Sequence, residues 1–297
     1  MPLFMLISGY LFASKLDNIN NDRYIAFNIV QSRFLQILMP YIVWTLLVIS
    51  YKTLISGFSI ISLSEFSTNL WFLKCLFLCI LVAVCGRLLF NNTFIFVVFT
   101  LLLTHVGSLL TTYNVSGLYP AFILGYLYKR NEVAVCKHNK ILCVVTGLTF
   151  LTMICNFDYS FFEYTSLNFY RCCFMHDSYT STDAYKEIYK LLIGLFGASF
   201  FFFLAKSLEH YYQQYEVITF LSKIGSATLG IYILQNIYLE RILATLISVD
   251  TNKVFFNLCI VPVGAAIISL LCFYTVKLIR RNSITKFLLL GERYNKK

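Results

Sequence analysis

A chain of 297 residues that is 59% hydrophobic, 18% aromatic and only 13% charged, with a mean hydropathy of +0.73, is solvated by lipid rather than water. Its net charge of +10 sits on cations scattered through short segments between apolar runs, which excludes a nucleic-acid-binding face and points to membrane topology. Of the ten cysteines, Cys75, Cys79, Cys85, Cys143, Cys259 and Cys272 lie in apolar runs as small hydrophobes; no metal-ligand spacing occurs and no bound cofactor is implied.

The first stretch, Met1 to Ala13, is apolar and uncharged, and is followed by Lys15, Asp17 and Arg23. A bilayer core of about 30 Å takes about 20 residues at 1.5 Å each, so this stretch is too short to span alone. With no basic region before it and no small-residue cleavage site after it, it is no signal peptide either. It reads as the second half of a membrane helix whose beginning, or whose partner helix, lies upstream of Met1.

Next, Ile25, Ile29, Phe34, Ile37 and Leu38 recur at helical spacing beside Asn28, Gln31, Ser32 and Arg33. This predicts an interfacial helix that runs into a span over residues 37–57, with Pro40 near its start, where a missing N–H does least harm. Further spans are predicted at residues 70–89, 94–112, 118–128, 141–156, 188–208, 224–247 and 254–278. Residues 283–297 read as an interfacial helix and a basic tail. The expectation is an all-α, polytopic transmembrane helix bundle of nine spans, counting the opening half-helix, in one domain over residues 1–297.

If the tail is cytoplasmic, Lys15, Arg23, Arg33, Arg87, Lys129, Arg130, Lys137, Lys140, Lys206 and Lys223 fall on the same side as the tail cations. Residues 59–68, 112–117, 157–186 and 249–253 are then outside, and so is Met1. An outside start with no preceding helix is a second sign of a helix upstream.

Four stretches in order, MPLFMLISGYLF, SRFLQILMPYIVW, LWFLKCLF and SATLGIYILQ, resemble the acyltransferase family 3 membrane proteins, which acylate sugars of surface polysaccharides and other extracytoplasmic acceptors. The similarity covers most of the chain. Family members usually have ten helices, and nine is what losing the first leaves. The resemblance implies transfer of an acyl group, acetyl first among them, from cytoplasmic acyl-CoA (acetyl-CoA) to a sugar hydroxyl outside, in a bacterial inner membrane with the C-terminus cytoplasmic.

Two departures accompany the resemblance. The family's presumed catalytic His belongs to the first helix, upstream of Met1, so no catalytic residue is inherited and the chain is expected to be a truncated gene model, an inactive relative or half of a split site. The family's basic pair is half present: Arg33 stands seven residues before Pro40, while the position four before it is Gln36. The other function class is a non-catalytic transporter or flippase of a glycan or lipid intermediate, which would show polar faces through several spans, or repeats. The sequence has one polar stripe and no repeat.

Among single residues, Arg33 is the candidate for donor binding, because a guanidinium makes charge-assisted, bidentate bonds to phosphate; the alternative is an anchor at lipid headgroups. Arg87 and Arg130 end spans on the inner side, as anchors or as further contacts to CoA. Trp71 and Lys74 share a helix face at i, i+3. Both suit interfacial anchoring, while the resemblance adds Trp71, with Tyr232, to the acceptor side; Gln235, counted with them, stands where family members often carry a His, so a second imidazole is missing there too. Glu240 and Arg241, adjacent and so on different faces, are acceptor-site candidates near the outer end of their span.

His105 lies within a span in a polar stripe with Thr104, Ser108 and Thr111. It is either a proton-carrying imidazole or one that hydrogen-bonds across helices, and the hydroxyls favour the second. The loop 157–186 mixes aromatic and acidic residues, as an aromatic belt or as a sugar-binding surface. In it, His176 beside Asp177 is a second candidate base. Cys172 and Cys173 are too close for an ordinary bridge, and are free thiols or partners for Cys155.

Overall fold

The computed structural model describes residues 1–19, 22–56, 70–106, 114–157, 181–212, 216–235 and 261–292. These are 90% helical, with no strand among them. Two compact units are formed: Met1–Ser32 with Lys74–Gln213, and Arg33–Leu73 with Gln214–Lys297.

The first unit contains α1 (Pro2–Asp17), α2 (Arg23–Arg33, except its last residue), most of α4 (Trp71–Leu89), α5 (Thr93–Val106), α6 (Val115–Arg130), α7 (Glu132–Lys137), α8 (Asn139–Cys155) and α9 (Ser181–Tyr212). Pro2 stands in the first turn of α1, where its missing N–H costs no bond. At the centre, α1 lies against α6. A Cβ on Gly9 would fall 1.9 Å from the Phe122 carbonyl oxygen, and one on Gly125 would fall 1.9 Å from that of Leu6. Small residues let helix backbones touch in lipid, where packing rather than water expulsion drives association. Tyr10 meets Phe202 edge-to-face at 5.1 Å, which brings α9 onto the same helix.

Helices α8 and α9 pack by the same device: Gly147 faces the Phe200 ring and Gly197 the Phe150 ring. At the two ends of this pair the Tyr189 hydroxyl donates to the Met153 carbonyl at 2.7 Å, and the Asn139 amide donates to Ser207 Oγ at 2.7 Å. Gly86 of α4 receives Thr100 and Phe96 of α5, and Phe96 in turn meets Tyr126 of α6 at 5.5 Å.

The second unit contains a π turn (Phe34–Leu38), α3 (Met39–Ser56), α10 (Glu216–Ser226), α11 (Thr228–Leu234), α12 (Val261–Ile279) and α13 (Ser283–Leu290). Gly230 of α11 faces Val276 of α12 and Leu290 of α13, and Phe220 of α10 meets Phe273 of α12 at 6.1 Å. Asn282 caps α13 by accepting from the Ile284 N–H, and Gly291 ends it in the left-handed region at φ +66°.

Among the described residues, three helices are long and apolar enough to cross a bilayer: Arg23–Ser50, Trp71–Leu89 and Tyr185–Glu209. Thr93–His105, Asn139–Cys155 and Val263–Ile279 are apolar and shorter. Parts of the spans expected over residues 94–112, 224–247 and 254–278 lie outside the described residues. The helices at the expected opening and fifth spans, α1 and α6, have 16 residues each.

One expectation is corrected. The span placed at residues 224–247 does not begin at Ile224: α10 ends at Ser226, Ala227 turns, and α11 begins at Thr228. The Ser226 hydroxyl bonds the Lys223 carbonyl at 2.7 Å and the Thr228 hydroxyl bonds the Gly225 carbonyl at 2.6 Å. Short hydroxyl side chains next to Gly225 thus compete with the helix ladder at this point.

Candidate functional site

The second unit carries Arg33, and Pro40 explains the backbone beside it. In an α-helix the carbonyl of Gln36 would accept from the N–H of residue 40, but proline has none and its ring crowds that carbonyl. The chain widens instead into the π turn Phe34–Leu38, closed by the Met39 N–H on the Phe34 carbonyl. Such single turns inside helices recur at functional sites. Arg33 Nη1 donates to Gln36 Oε1 at 2.8 Å across this turn. The bond orients the guanidinium fork.

In the same unit Trp71 and Tyr232 converge on Phe72. Trp71 and Phe72 stand perpendicular with centroids 6.1 Å apart, and Phe72 meets Tyr232 edge-on at 5.5 Å. Leu70, fully buried, sits in the left-handed region at φ +48° and turns the chain into α4 directly before Trp71. A bulky residue is rare there, and such strain gathers at functional positions. Gln235 follows Tyr232 by three residues, where the helix continues for one more residue beyond α11. Phe72, which joins the two aromatics, was not singled out in the sequence; only its place between Trp71 and an apolar run could have marked it.

The first unit brings Arg87 and Arg130 together on Asp17, at the C-terminal ends of α4, α6 and α1. Arg87 Nη2 lies 3.5 Å and Arg130 Nη1 3.9 Å from Asp17 Oδ1. The Tyr126 hydroxyl donates to the same oxygen at 2.9 Å and accepts from Arg130 at 3.0 Å, while Arg130 also bonds the Thr93 hydroxyl. Arg87, buried to 7% exposure, gives Nη1 to the Asn91 carbonyl. Asp17 thus gathers three helix ends, a role the sequence did not single out.

A second ionic cluster in this unit forms around Glu132. Its carboxylate accepts from the Tyr10 hydroxyl and from Lys129 at 2.5 Å, and Lys206 lies 3.5 Å away. Lys206 also stands over the Tyr10 ring at 4.9 Å, a cation–π contact. The Lys129 ammonium first, and the Tyr10 hydroxyl next, hold the Glu132 carboxyl down at about 2.

His105 is half-buried near the end of α5. The neighbouring hydroxyls Thr100 and Thr104 bond carbonyls of their own helix, at 2.7 and 2.8 Å. Ser108 and Thr111, also in the expected stripe, lie outside the described residues, as do His176, Glu240, Arg241, Cys172 and Cys173. Lys74 shares α4 with Trp71 and begins the portion that belongs to the first unit.

A family model for the acyltransferase family 3 domain, described as an acyltransferase domain, matches residues 1–278. No curated protein and no solved structure matches the chain.

Proposed function

The chain belongs to acyltransferase family 3 and is a membrane acyltransferase; from that premise we propose that it takes an acyl group, acetyl in the first instance, from cytoplasmic acyl-CoA and passes it to a sugar hydroxyl of a surface polysaccharide. The hydroxyl oxygen attacks the thioester carbonyl carbon to form the ester, the C–S bond breaks, and the hydroxyl proton passes through a base to the sulfur, so that CoA leaves as the thiol. A helix bundle that excludes water protects the thioester from hydrolysis.

The observation that carries this reading, beyond the family match, is Arg33 on its π turn. The Gln36 amide fixes the direction of the guanidinium, and a guanidinium held in one direction suits a phosphate. The aromatic trio Trp71, Phe72 and Tyr232 suits the acceptor, since the C–H faces of a sugar pack on rings; Gln235, three residues after Tyr232, and Glu240 and Arg241 further along the sequence are kept as acceptor candidates in this reading. Arg87 and Arg130 remain further CoA contacts in the reading, set against their role on Asp17.

The same reading keeps nine spans in a single domain, residues 283–297 as an interfacial helix and tail, and a cytoplasmic C-terminus in a bacterial inner membrane. The two ionic clusters support the orientation: Asp17, Arg87, Arg130, Lys129, Glu132 and Lys206 lie at helix ends that the positive-inside rule assigns to one side. Binding of acetyl-CoA to the full chain in nanodiscs tests the donor assignment. Arg33→Ala is expected to weaken it about tenfold, the value of one charge-assisted contact. Unchanged affinity would remove Arg33 from the donor site.

A further inference from the structure

The family match ends at residue 278, yet the segment that follows is bound tightly into the second unit. Its helix α13 is fixed at both ends. At the start, Arg280 donates to the Ser226 carbonyl at 3.0 Å and to Glu292 at 2.6 Å, with Lys286 3.2 Å from the same carboxylate. The Thr285 hydroxyl bonds back to the Ile279 carbonyl at 2.8 Å. At the far end, the indole N–H of Trp44 donates to the Leu289 carbonyl at 3.0 Å, one of the last carbonyls of α13 that the helix itself leaves unpaired.

Gly291 then sets its backbone on Gln36. A Cβ there would lie 2.0 Å from the Gln36 carbonyl oxygen, and the residue adopts φ +66°. Both the contact and the conformation need glycine. The carbonyl it meets is the one Pro40 cannot bond, and the side chain of the same Gln36 holds Arg33 at 2.8 Å. Gly291, Gln36 and Arg33 are therefore consecutive links: the α13 segment presses on the backbone of the residue that orients the guanidinium.

We propose that residues 280–292 form a strap that positions Arg33 for the donor phosphate through Gln36, with Trp44 and Gly291 as its fastening points. This rests on the reading of Arg33 as the donor-binding arginine. Gly291, Gln36 and Trp44 are positioning residues that do not touch the donor. Loss of the strap frees the π turn to relax, and the guanidinium loses its fixed direction.

The test is a double-mutant cycle on acetyl-CoA binding by the full chain in nanodiscs, with thermal unfolding recorded for each variant. Gly291→Val is expected to weaken binding about as much as Arg33→Ala, roughly tenfold, and to add nothing once Arg33 is alanine. Trp44→Phe keeps an aromatic ring and removes the N–H that bonds Leu289; it is expected to weaken binding about threefold, again only when Arg33 is present, and serves if the valine variant does not fold. Equal losses in both backgrounds, or no loss from either strap variant while Arg33→Ala weakens binding, would overturn the strap alone. Unchanged binding by Arg33→Ala itself would remove the donor reading and the strap with it.

Discussion

Gly9 and Gly125 lie where α1 and α6 touch, each with a carbonyl of the other helix where its own Cβ would stand. Two helices are thereby joined backbone to backbone at the centre of the first unit. The contact has no room for even one methyl group. Gly125→Ala is expected to destabilise the chain by about 1–3 kcal/mol, the usual cost of overpacking. Thermal unfolding in detergent measures it, and a melting temperature equal to that of the parent chain would show that the helices can separate freely.

Asp17 holds two guanidiniums, and the two pairs differ in burial: the Arg87 side chain is 9% exposed and that of Arg130 41%. Removing the shared carboxylate leaves the buried cation uncompensated, whereas removing the exposed cation does not. Asp17→Asn should therefore lower stability by about 1 kcal/mol or more, after allowance for the partial exposure of the carboxylate, and Arg130→Gln by less. Chemical denaturation of the three proteins side by side decides it; the reverse order would mean that Arg130, not Arg87, depends on Asp17.

Glu132 has its folded-state pKa depressed to about 2 by Lys129 and Tyr10. A carboxyl with a lowered pKa contributes stability that is present above its unfolded value, about 4.3, and is lost as the pH falls toward the folded value. The parent chain should lose stability between about pH 4.5 and pH 2 more steeply than Glu132→Gln does. Melting curves across that range test the point, and parallel profiles for the two proteins would contradict it.

Trp71→Ala separates acceptor from donor. The aromatic trio in the second unit predicts that the acceptor KM rises, with kcat/KM for the acceptor down about tenfold, the scale on which loss of one stacked ring acts, while acetyl-CoA affinity stays unchanged. Steady-state kinetics with each substrate varied in turn reads this out. A rise in the acetyl-CoA constant instead would move Trp71 to the donor side.

The helical nature of the chain and the starts of α4, α8 and α13 were legible because apolar runs bounded by polar clusters are a local property. Arg33 was legible by its place seven residues before Pro40, but Gln36 stood only as the missing half of a basic pair, and its bond to Arg33 emerged from the structure. The Glu132 cluster was not legible, because Tyr10 reaches it across 122 residues of sequence and only packing brings them together. The break at Ala227 was hidden differently: an apolar run continues straight through it, and the hydroxyls of Ser226 and Thr228 decide against the run. The facing glycines of α1 and α6 could each be seen, but not that they belonged to one another.

Leu70 shows what the second unit gives up in order to aim its aromatics. Anyone engineering a hardier variant would be drawn to Leu70→Gly, since glycine accepts φ +48° without effort. Relief of the twist returns about 1 kcal/mol, but the leucine is 1% exposed, and emptying its place forfeits about 1.5–3 kcal/mol of burial besides loosening the chain. The apparent repair would soften the protein, and the direction in which Trp71 leaves the turn would no longer be dictated.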